Sequence, residues 1–149
     1  MTRKPPATRA AFAVFYQTPT RWADNDAYGH VNNVIYYAWF DTAVNRFLID
    51  SGTLDIANSA TVGLVVETGC RYHASVTYPE DVAIGLRVAH LGSSSVRYDL
   101  AVFRAGDVTA AAEAYFVHVY VDRATQRPVP IPPDTRAALR RLIIEQDVP

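Results

Sequence analysis

The sequence contains a single cysteine, Cys70, among its 149 residues. One thiol cannot form an intramolecular disulfide, and no cysteine and histidine spacing typical of a metal site is present. The longest apolar run, residues 34–40, is far shorter than the ~20 residues that a membrane-spanning helix needs. We therefore expect no disulfide, no bound metal and no membrane association. Because no apolar N-terminal signal is visible either, we expect a cytoplasmic protein.

The sequence also has almost no net charge. Its 14 Lys and Arg residues are balanced by 15 Asp and Glu residues, which leaves a formal charge of −1. No broad basic surface for nucleic acid or anionic lipid is expected. The few basic residues at the start stand beside Pro5 and Pro6, which is typical of a solvated tail. We expect a flexible tail over residues 1–11 and a single domain over residues 12–149.

One long helix is the clearest element in the hydrophobic pattern. Apolar residues recur at helical spacing from Val34 to a stop at Ser51-Gly52, and Asn32 is a natural N-cap. Polar side chains form only a narrow stripe on this helix, which begins near Asn33. A helix that is apolar nearly all round should be buried by an element that wraps it.

Extended segments flank this helix on both sides. Residues 12–21 precede it, and four runs with a period of two follow between residues 61 and 122. Tight turns between these runs favour an antiparallel meander. A short helix is expected from Asp134 to about Gln146. The whole pattern predicts an α+β fold with one long central helix wrapped by a curved antiparallel five-stranded sheet.

The segment that leads into the long helix offers groups for catalysis. The helix start presents free backbone N–H groups and the positive end of the helix dipole. The Asn33 N–H is therefore suited to bind a carbonyl oxygen that becomes an oxyanion. Asp26 lies seven residues earlier, across a glycine-containing loop that can fold its carboxylate back towards this N–H. A carboxylate beside an oxyanion donor is an arrangement for acyl transfer.

Other side chains near this segment have both a functional and a structural interpretation. His30 is a candidate general base, because histidine is the side chain suited to proton transfer at neutral pH, or it holds the loop by hydrogen bonds. Asp24 fits a turn or packing role better than that of the acid. Glu67 is a candidate water-orienting group or polar wall of the cleft. Tyr28 lines an acyl pocket or packs in the core, whereas nothing near Cys70 activates its thiol.

The motif Asp-x-Asp-x-x-Gly-His-Val-Asn-Asn, followed by an aromatic-rich helix, resembles the hotdog-fold acyl-CoA thioesterases of the 4-hydroxybenzoyl-CoA thioesterase type. The resemblance extends from about Phe15 to Arg140, through Cys70-Arg71-Tyr72 and the turn at Ser93. It implies hydrolysis of an acyl-CoA to a carboxylic acid and free CoA without a cofactor. It also implies that Asp26 is the nucleophile or general base and that the Asn33 amide polarises the carbonyl.

The resemblance further implies a homo-oligomer, a dimer or a homotetramer, in which sheets join edge to edge and the active site lies between subunits. The implied contacts to the CoA nucleotide are Arg71 or Arg97 and the three serines Ser93, Ser94 and Ser95. One departure concerns the helix, where many relatives have Glu-x-Ala-Arg. This chain has Asp41-Thr42-Ala43-Val44-Asn45-Arg46 there, so any role of that helix face is in question.

Two other functions are compatible with the same residues. A hotdog enoyl-CoA hydratase or dehydratase would use a histidine and an acid at the helix start, and His30 and Asp26 are both present. A non-catalytic acyl-CoA-binding protein could use the same fold, since a fold does not determine function. The acyl group is also left open, because short, medium and aryl chains all suit the aromatic content.

Overall fold

The computed structural model describes residues 4–145. Two short 3-10 turns, Arg9–Ala11 and Trp22–Asp24, accompany the regular elements. The helices and strands are β1 (Val14–Pro19), α1 (Asn33–Asp50), β2 (Thr61–Tyr72), β3 (Asp81–Leu91), β4 (Ser95–Arg104), β5 (Ala112–Asp122) and α2 (Pro133–Arg140).

The five strands form one antiparallel sheet in the order β1-β3-β4-β5-β2. Strands β3, β4 and β5 follow one another as the sequence predicts. The prediction of a meander through all four later strands is wrong for β2, which pairs with β5 at the edge of the sheet. The segment after β2 crosses the end of the sheet and buries Val76 completely. The Val76 carbonyl accepts the Val31 N–H at 2.8 Å, so this segment is fixed under the start of α1 and leaves β3 free to pair with β1.

Helix α1 begins and ends where the sequence predicts, and Asn32 is its N-cap, with the side-chain oxygen 3.2 Å from the Val34 nitrogen. It packs on one face of the sheet, called here the inner face. The predicted fold class, a hotdog arrangement of one helix on a curved antiparallel sheet, is confirmed. The helix buries Tyr36, Trp39, Phe40, Ala43, Val44 and Leu48 against Val82, Ile84, Leu86, Val96, Tyr98, Leu100, Ala114 and Phe116 of the strands.

The opposite face of the sheet, called here the outer face, is partly covered by the N-terminal segment. Residues 7–11 lie against it where the sequence predicts a flexible tail. The Ala110 N–H donates to the Ala7 carbonyl at 2.9 Å, and Phe12 is buried beside Phe103 and two small side chains, Ala83 and Ala101. Ala7 and Ala11 pack against this cluster, and this burial of apolar surface stabilises the position of the segment. Residues 1–3 lie outside the described part of the chain.

The C-terminal helix is shorter than predicted, because α2 ends at Arg140. Just after it, the Leu142 carbonyl accepts the Val88 N–H of β3 at 2.9 Å. Because of this hydrogen bond to the sheet, the chain does not continue as a helix. Leu139 and Leu142 are buried in the core. The expected end at Gln146 lies outside the described residues. Within residues 4–145, no helix is both long and apolar enough to cross a membrane.

Strand β2 contains a bulge that changes which residues face the helix. The pairing with β5 shifts between Val65 and Glu67, so Val66 is an extra residue. Before the bulge Val65 lies opposite His118, and after it Glu67 lies opposite Val117. Because Val117 alternates with the inner residues Phe116 and His118, Glu67 belongs to the outer face.

His118 is buried on the inner face without a hydrogen-bond partner. It is only 2% exposed, and neither ring nitrogen has a partner among the described residues. The Tyr98 ring lies edge-on to it with the ring centroids 5.2 Å apart. Burial lowers the pKa of His118 to about 4, although Asp41 acts weakly in the opposite direction. The imidazole is therefore neutral in the folded protein at pH 7.

This burial predicts a loss of stability in mild acid. The unfolded chain takes up a proton near pH 6.5 and the folded chain only near pH 4, so protons favour the unfolded state between these values. We expect the free energy of unfolding to fall by about 2 kcal/mol more in the wild type than in His118→Phe between pH 7 and pH 5. Urea titrations at both pH values measure it. His90→Gln, at an exposed histidine, should retain the wild-type loss; an equal loss in His118→Phe would contradict the prediction.

Candidate active site

A buried carboxylate anchors the loop that leads into α1. Asp24 is 1% exposed; one of its oxygens accepts the Arg21 N–H at 2.7 Å and the other accepts the Arg21 guanidinium at 2.8 Å. The Asp24 carbonyl accepts the Asn32 N–H at 2.8 Å. Both ends of the loop over residues 25–31 are therefore held together, in agreement with the packing role expected for Asp24.

Asp26 stands in the tight turn inside this loop. Its N–H donates to the His30 carbonyl at 2.8 Å, and its carbonyl accepts the Gly29 N–H at 3.1 Å. Gly29 has a φ of +82°, a conformation that favours glycine. The Oδ1 atom of Asp26 accepts the Tyr28 N–H at 2.9 Å. Within residues 4–145 no other hydrogen bond is made by this carboxylate, so its Oδ2 atom is available.

A surface cleft of about 330 Å³ brings the three predicted catalytic residues together. The Asn33 N–H has no acceptor in the described part of the chain, as expected for the first residue of a helix. The His30 side chain is exposed and makes no hydrogen bond to residues 4–145. The cleft is lined by Asp26, His30, Val31, Asn33, Tyr36, Tyr72, His73, Ala74 and Ser75.

Two side chains of the cleft were not found from the sequence. The Tyr72 hydroxyl donates to the Asn33 carbonyl at 2.9 Å and so joins the end of β2 to the start of α1. Burial raises the pKa of Tyr72 well above its usual range, with a smaller effect from Cys70, so the hydroxyl stays protonated. His73 pairs with Glu113 of β5 at 2.8 Å. The resemblance to the family includes Tyr72 and could have indicated it. No feature of the sequence pattern singles out His73.

The remaining predicted site residues lie elsewhere in the protomer. The Tyr28 side chain is 85% exposed and does not line the cleft. Glu67 is exposed on the outer face of β2, and Arg71 lines a separate cavity on that face. The turn over Ser93, Ser94 and Ser95 joins β3 to β4 at the end of the sheet opposite to Tyr72, because Ser95 pairs with Val119 whereas Tyr72 pairs with Ala112.

Cys70, which lies two residues before Tyr72 on β2, is a poor candidate for the nucleophile. Burial raises the pKa of the Cys70 thiol to about 11, and only a weak interaction with Tyr72 opposes it. A thiol with this pKa is protonated at neutral pH and is a poor nucleophile. Among residues 4–145, no three His, Cys, Asp or Glu side chains form a group able to hold a metal ion.

Several solved structures have the same fold. The PA5185 protein of Pseudomonas aeruginosa strain PAO1 is 52% identical, with a TM-score of 0.91 and coverage of 93% of this chain and 97% of that chain. The PA2801 protein of Pseudomonas aeruginosa, described as a candidate thioesterase, is 29% identical, with a TM-score of 0.79 and coverage of 85% and 98%. The BH1999 gentisyl-coenzyme A thioesterase is 25% identical, with a TM-score of 0.75 and coverage of 85% and 99%.

A curated relative and a family model complete the comparison. The uncharacterized protein YsmA of Bacillus subtilis strain 168 is 25% identical over 88 residues, which span 59% of this chain and only 59% of YsmA. The model of the Thioesterase-like superfamily matches residues 20–139. With the structural neighbours named as thioesterases, this match supports a general thioesterase function. The chain belongs to the Thioesterase-like superfamily.

Proposed function

We propose that this protein hydrolyses acyl-CoA thioesters, with Asp26 as the catalytic carboxylate and the Asn33 backbone N–H as the donor to the thioester carbonyl. The observation that carries the proposal is the cleft at the start of α1. There the carboxylate of Asp26 has an oxygen without a partner, and the Asn33 N–H has no acceptor within residues 4–145. An acceptor-free N–H at a helix start stabilises negative charge that develops on a carbonyl oxygen.

The proposed reaction needs only groups of the cleft and one water molecule. The Asn33 N–H binds the carbonyl oxygen of the thioester. Asp26 then attacks the carbonyl carbon and forms an acyl anhydride that water hydrolyses, or it takes a proton from a water that attacks instead. In both cases the C–S bond breaks, the CoA thiolate leaves and takes up a proton, and the carboxylic acid is released.

His30 is the candidate source of the proton for the leaving thiolate. Its ring lines the cleft and makes no hydrogen bond to the described residues, so it is free to approach a bound substrate. The Tyr72 hydroxyl has a different task, since it donates to the Asn33 carbonyl. This contact holds the first residue of α1 at the wall of the cleft.

The name of one relative bears on the choice of substrates to test. BH1999 is a gentisyl-coenzyme A thioesterase and is 25% identical to this chain, so aryl thioesters belong in the panel beside short and long acyl chains. The resemblance of the sequence motif to the 4-hydroxybenzoyl-CoA type leads to the same choice. Tyr36 and Tyr72, in contact with ring centroids 5.0 Å apart, form the aromatic part of the cleft wall.

The test compares wild type, Asp26→Asn and Asp24→Asn for release of free thiol from the acyl-CoA panel. We expect Asp26→Asn to lower kcat by ~100-fold or more without lowering stability, because the lost charge acts on the reaction. Asp24→Asn is the matched control, since the same change two residues earlier removes the charge of a buried carboxylate that pairs with the exposed Arg21. It should cost about 2 kcal/mol of stability and change kcat less than tenfold.

The outcome separates hydrolysis from the other functions of this fold. Binding of intact acyl-CoA by the wild type with no thiol release from any member would overturn the proposal and favour a binding protein. Hydration of crotonyl-CoA without thiol release would favour a hydratase. If Asp26→Asn kept full activity, hydrolysis would stand but a different carboxylate would have to be the catalyst.

We also propose that two copies associate through the edges of their β2 strands. Among the described strands, β2 pairs with β5 alone. Leu64, Val65 and Val66 of β2 are 41%, 45% and 58% exposed. An exposed apolar edge favours pairing with another strand. Two-fold pairing would be antiparallel and would bring the Ser93 turn of the partner subunit towards the Asp26 cleft.

This association predicts a specific effect of a charge on β2. We expect Val65→Asp to shift the molar mass measured by light scattering towards that of the monomer, because a desolvated carboxylate at the contact is unfavourable. Val108→Asp is the control, at a valine that is 65% exposed in the β4–β5 turn. An unchanged mass for Val65→Asp, or an equal change in both variants, would rule out the β2 contact.

A further inference from the structure

A histidine that the proposed reaction does not use lies in the wall of the Asp26 cleft. His73 directly follows β2 and lines this cleft of about 330 Å³. Its backbone N–H and that of Ala74 both donate to the Ala111 carbonyl, at 2.8 Å and 3.0 Å. The His73 side chain is 18% exposed. The backbone of His73 is therefore held against the start of β5, and its ring is partly buried beside the cleft.

Two hydrogen bonds connect this segment to the loop and the helix start of the candidate site. The Tyr72 hydroxyl donates to the Asn33 carbonyl at 2.9 Å. On the other side of His73 in the chain, the Val76 carbonyl accepts the Val31 N–H at 2.8 Å. Because His73 lies between these two attachments, its position beside the loop is fixed from both ends.

The His73 ring is oriented by a carboxylate. Its Nε2 atom lies 2.8 Å from Oε2 of Glu113 on β5. An ionised carboxylate only accepts hydrogen bonds, so Nε2 carries the hydrogen, and in the neutral ring Nδ1 has the lone pair. No hydrogen bond joins Nδ1 to any residue in the range 4–145. A histidine whose tautomer is fixed by a carboxylate and whose other nitrogen is free is suited to take a proton from water.

The carboxylate of Glu113 is committed to this histidine. It is 21% exposed, and in the described part of the chain it makes no hydrogen bond to another side chain. Arg71 lies opposite Glu113 in the pairing of β2 with β5 but forms no ion pair with it. Partial burial strengthens the attraction between a carboxylate and an imidazolium, so Glu113 stabilises the His73 ring once that ring has taken up a proton.

The second histidine of the cleft has a different environment. The His30 side chain is exposed and makes no hydrogen bond to the residues that the structure describes. Its ring can follow a leaving group, whereas the His73 ring is held in one orientation. The two histidines are thus suited to different proton transfers, His30 to the departing thiolate and His73 to a water molecule.

We propose that His73, oriented by Glu113, is the general base for the water that hydrolyses the acyl anhydride formed on Asp26. This inference rests on the proposed function and deepens it, because it selects the route in which Asp26 is the nucleophile. Nδ1 takes a proton from the water while the water oxygen bonds to the acyl carbon. The bond between that carbon and the Asp26 oxygen then breaks, which releases the carboxylic acid and regenerates the carboxylate. The proton on His73 passes to solvent.

The experiment follows thiol release after rapid mixing with the acyl-CoA of the panel that the wild type hydrolyses fastest. Without a base for the water, the anhydride forms but breaks down slowly. We expect His73→Ala to release about one thiol per active site in a burst and then to turn over about 100-fold more slowly than the wild type. Added imidazole should raise this slow rate about tenfold or more by acting as the missing base, and it should leave the rate of Asp26→Asn unchanged.

A second variant keeps the histidine ring and changes only its partner. Glu113→Gln should lower the steady rate about tenfold or more and retain the burst, because the protonated ring loses the charge that stabilises it. Glu80→Gln is the matched control, since Glu80 forms a partly buried ion pair with Arg104 outside the cleft. It should keep the wild-type rate.

The outcomes separate this proposal from the proposed function. If the wild type hydrolyses the acyl-CoA and His73→Ala keeps its rate, the His73 proposal fails and the proposed function stands. A loss of activity in His73→Ala without a burst, or without recovery in imidazole, would give the pair a structural role only and would also overturn the His73 proposal. If the wild type releases no thiol from any member of the panel, the proposed function itself fails, and the His73 proposal fails with it.

Discussion

The burial of helix α1 is the constraint on which the other features of this protein depend. Most of its residues are apolar or aromatic, and six of them are buried against the sheet. A single helix with so much apolar surface is unstable in water, so the sheet must curve around it. The buried residues of the helix begin at Tyr36, whereas Asn33 and Val34 of its first turn are exposed. The unsatisfied N–H groups of that turn and the positive end of the dipole are thereby placed at the mouth of the cleft.

The loop before α1 places side chains beside these free N–H groups and so forms the candidate site. Asp24 joins both ends of the loop, with its carboxylate bonded to Arg21 and its carbonyl to Asn32. The carboxylate of Asp26, two residues later, accepts a hydrogen bond from the Tyr28 N–H and makes no other among the described residues. The neighbouring carboxylates thus have opposite environments, one buried and fully bonded, the other at the surface with a free oxygen. The two carboxylates of one short motif therefore suit different roles, Asp24 the stability of the loop and Asp26 the reactivity that we propose for it.

The sequence predicted the features that depend on contacts between residues close together in the chain. The bounds of α1 followed from its N-cap Asn32 and the stop at Ser51-Gly52, which are contacts within a few residues. The cleft residues Asp26, His30 and Asn33 followed from the same local stretch. The edge position of β2, the attachment of residues 7–11 and the early end of α2 depend on contacts with distant strands. The cavity that Arg71 lines on the outer face is formed by residues of β2, β3, β4 and β5, so no single stretch of sequence could reveal it.

The hydrogen bond between Tyr72 and Asn33 bears on which substitutions β2 can accept during evolution. Strand β2 carries the exposed apolar edge and ends at Tyr72. The Tyr72 hydroxyl donates to the carbonyl of Asn33, a residue that lines the cleft. A substitution that moves the edge of β2 therefore also moves Asn33, whose N–H we propose as the donor to the thioester. In the proposed function and the proposed β2 association, Tyr72 links the contact between subunits to the cleft, so selection on either one would constrain the other.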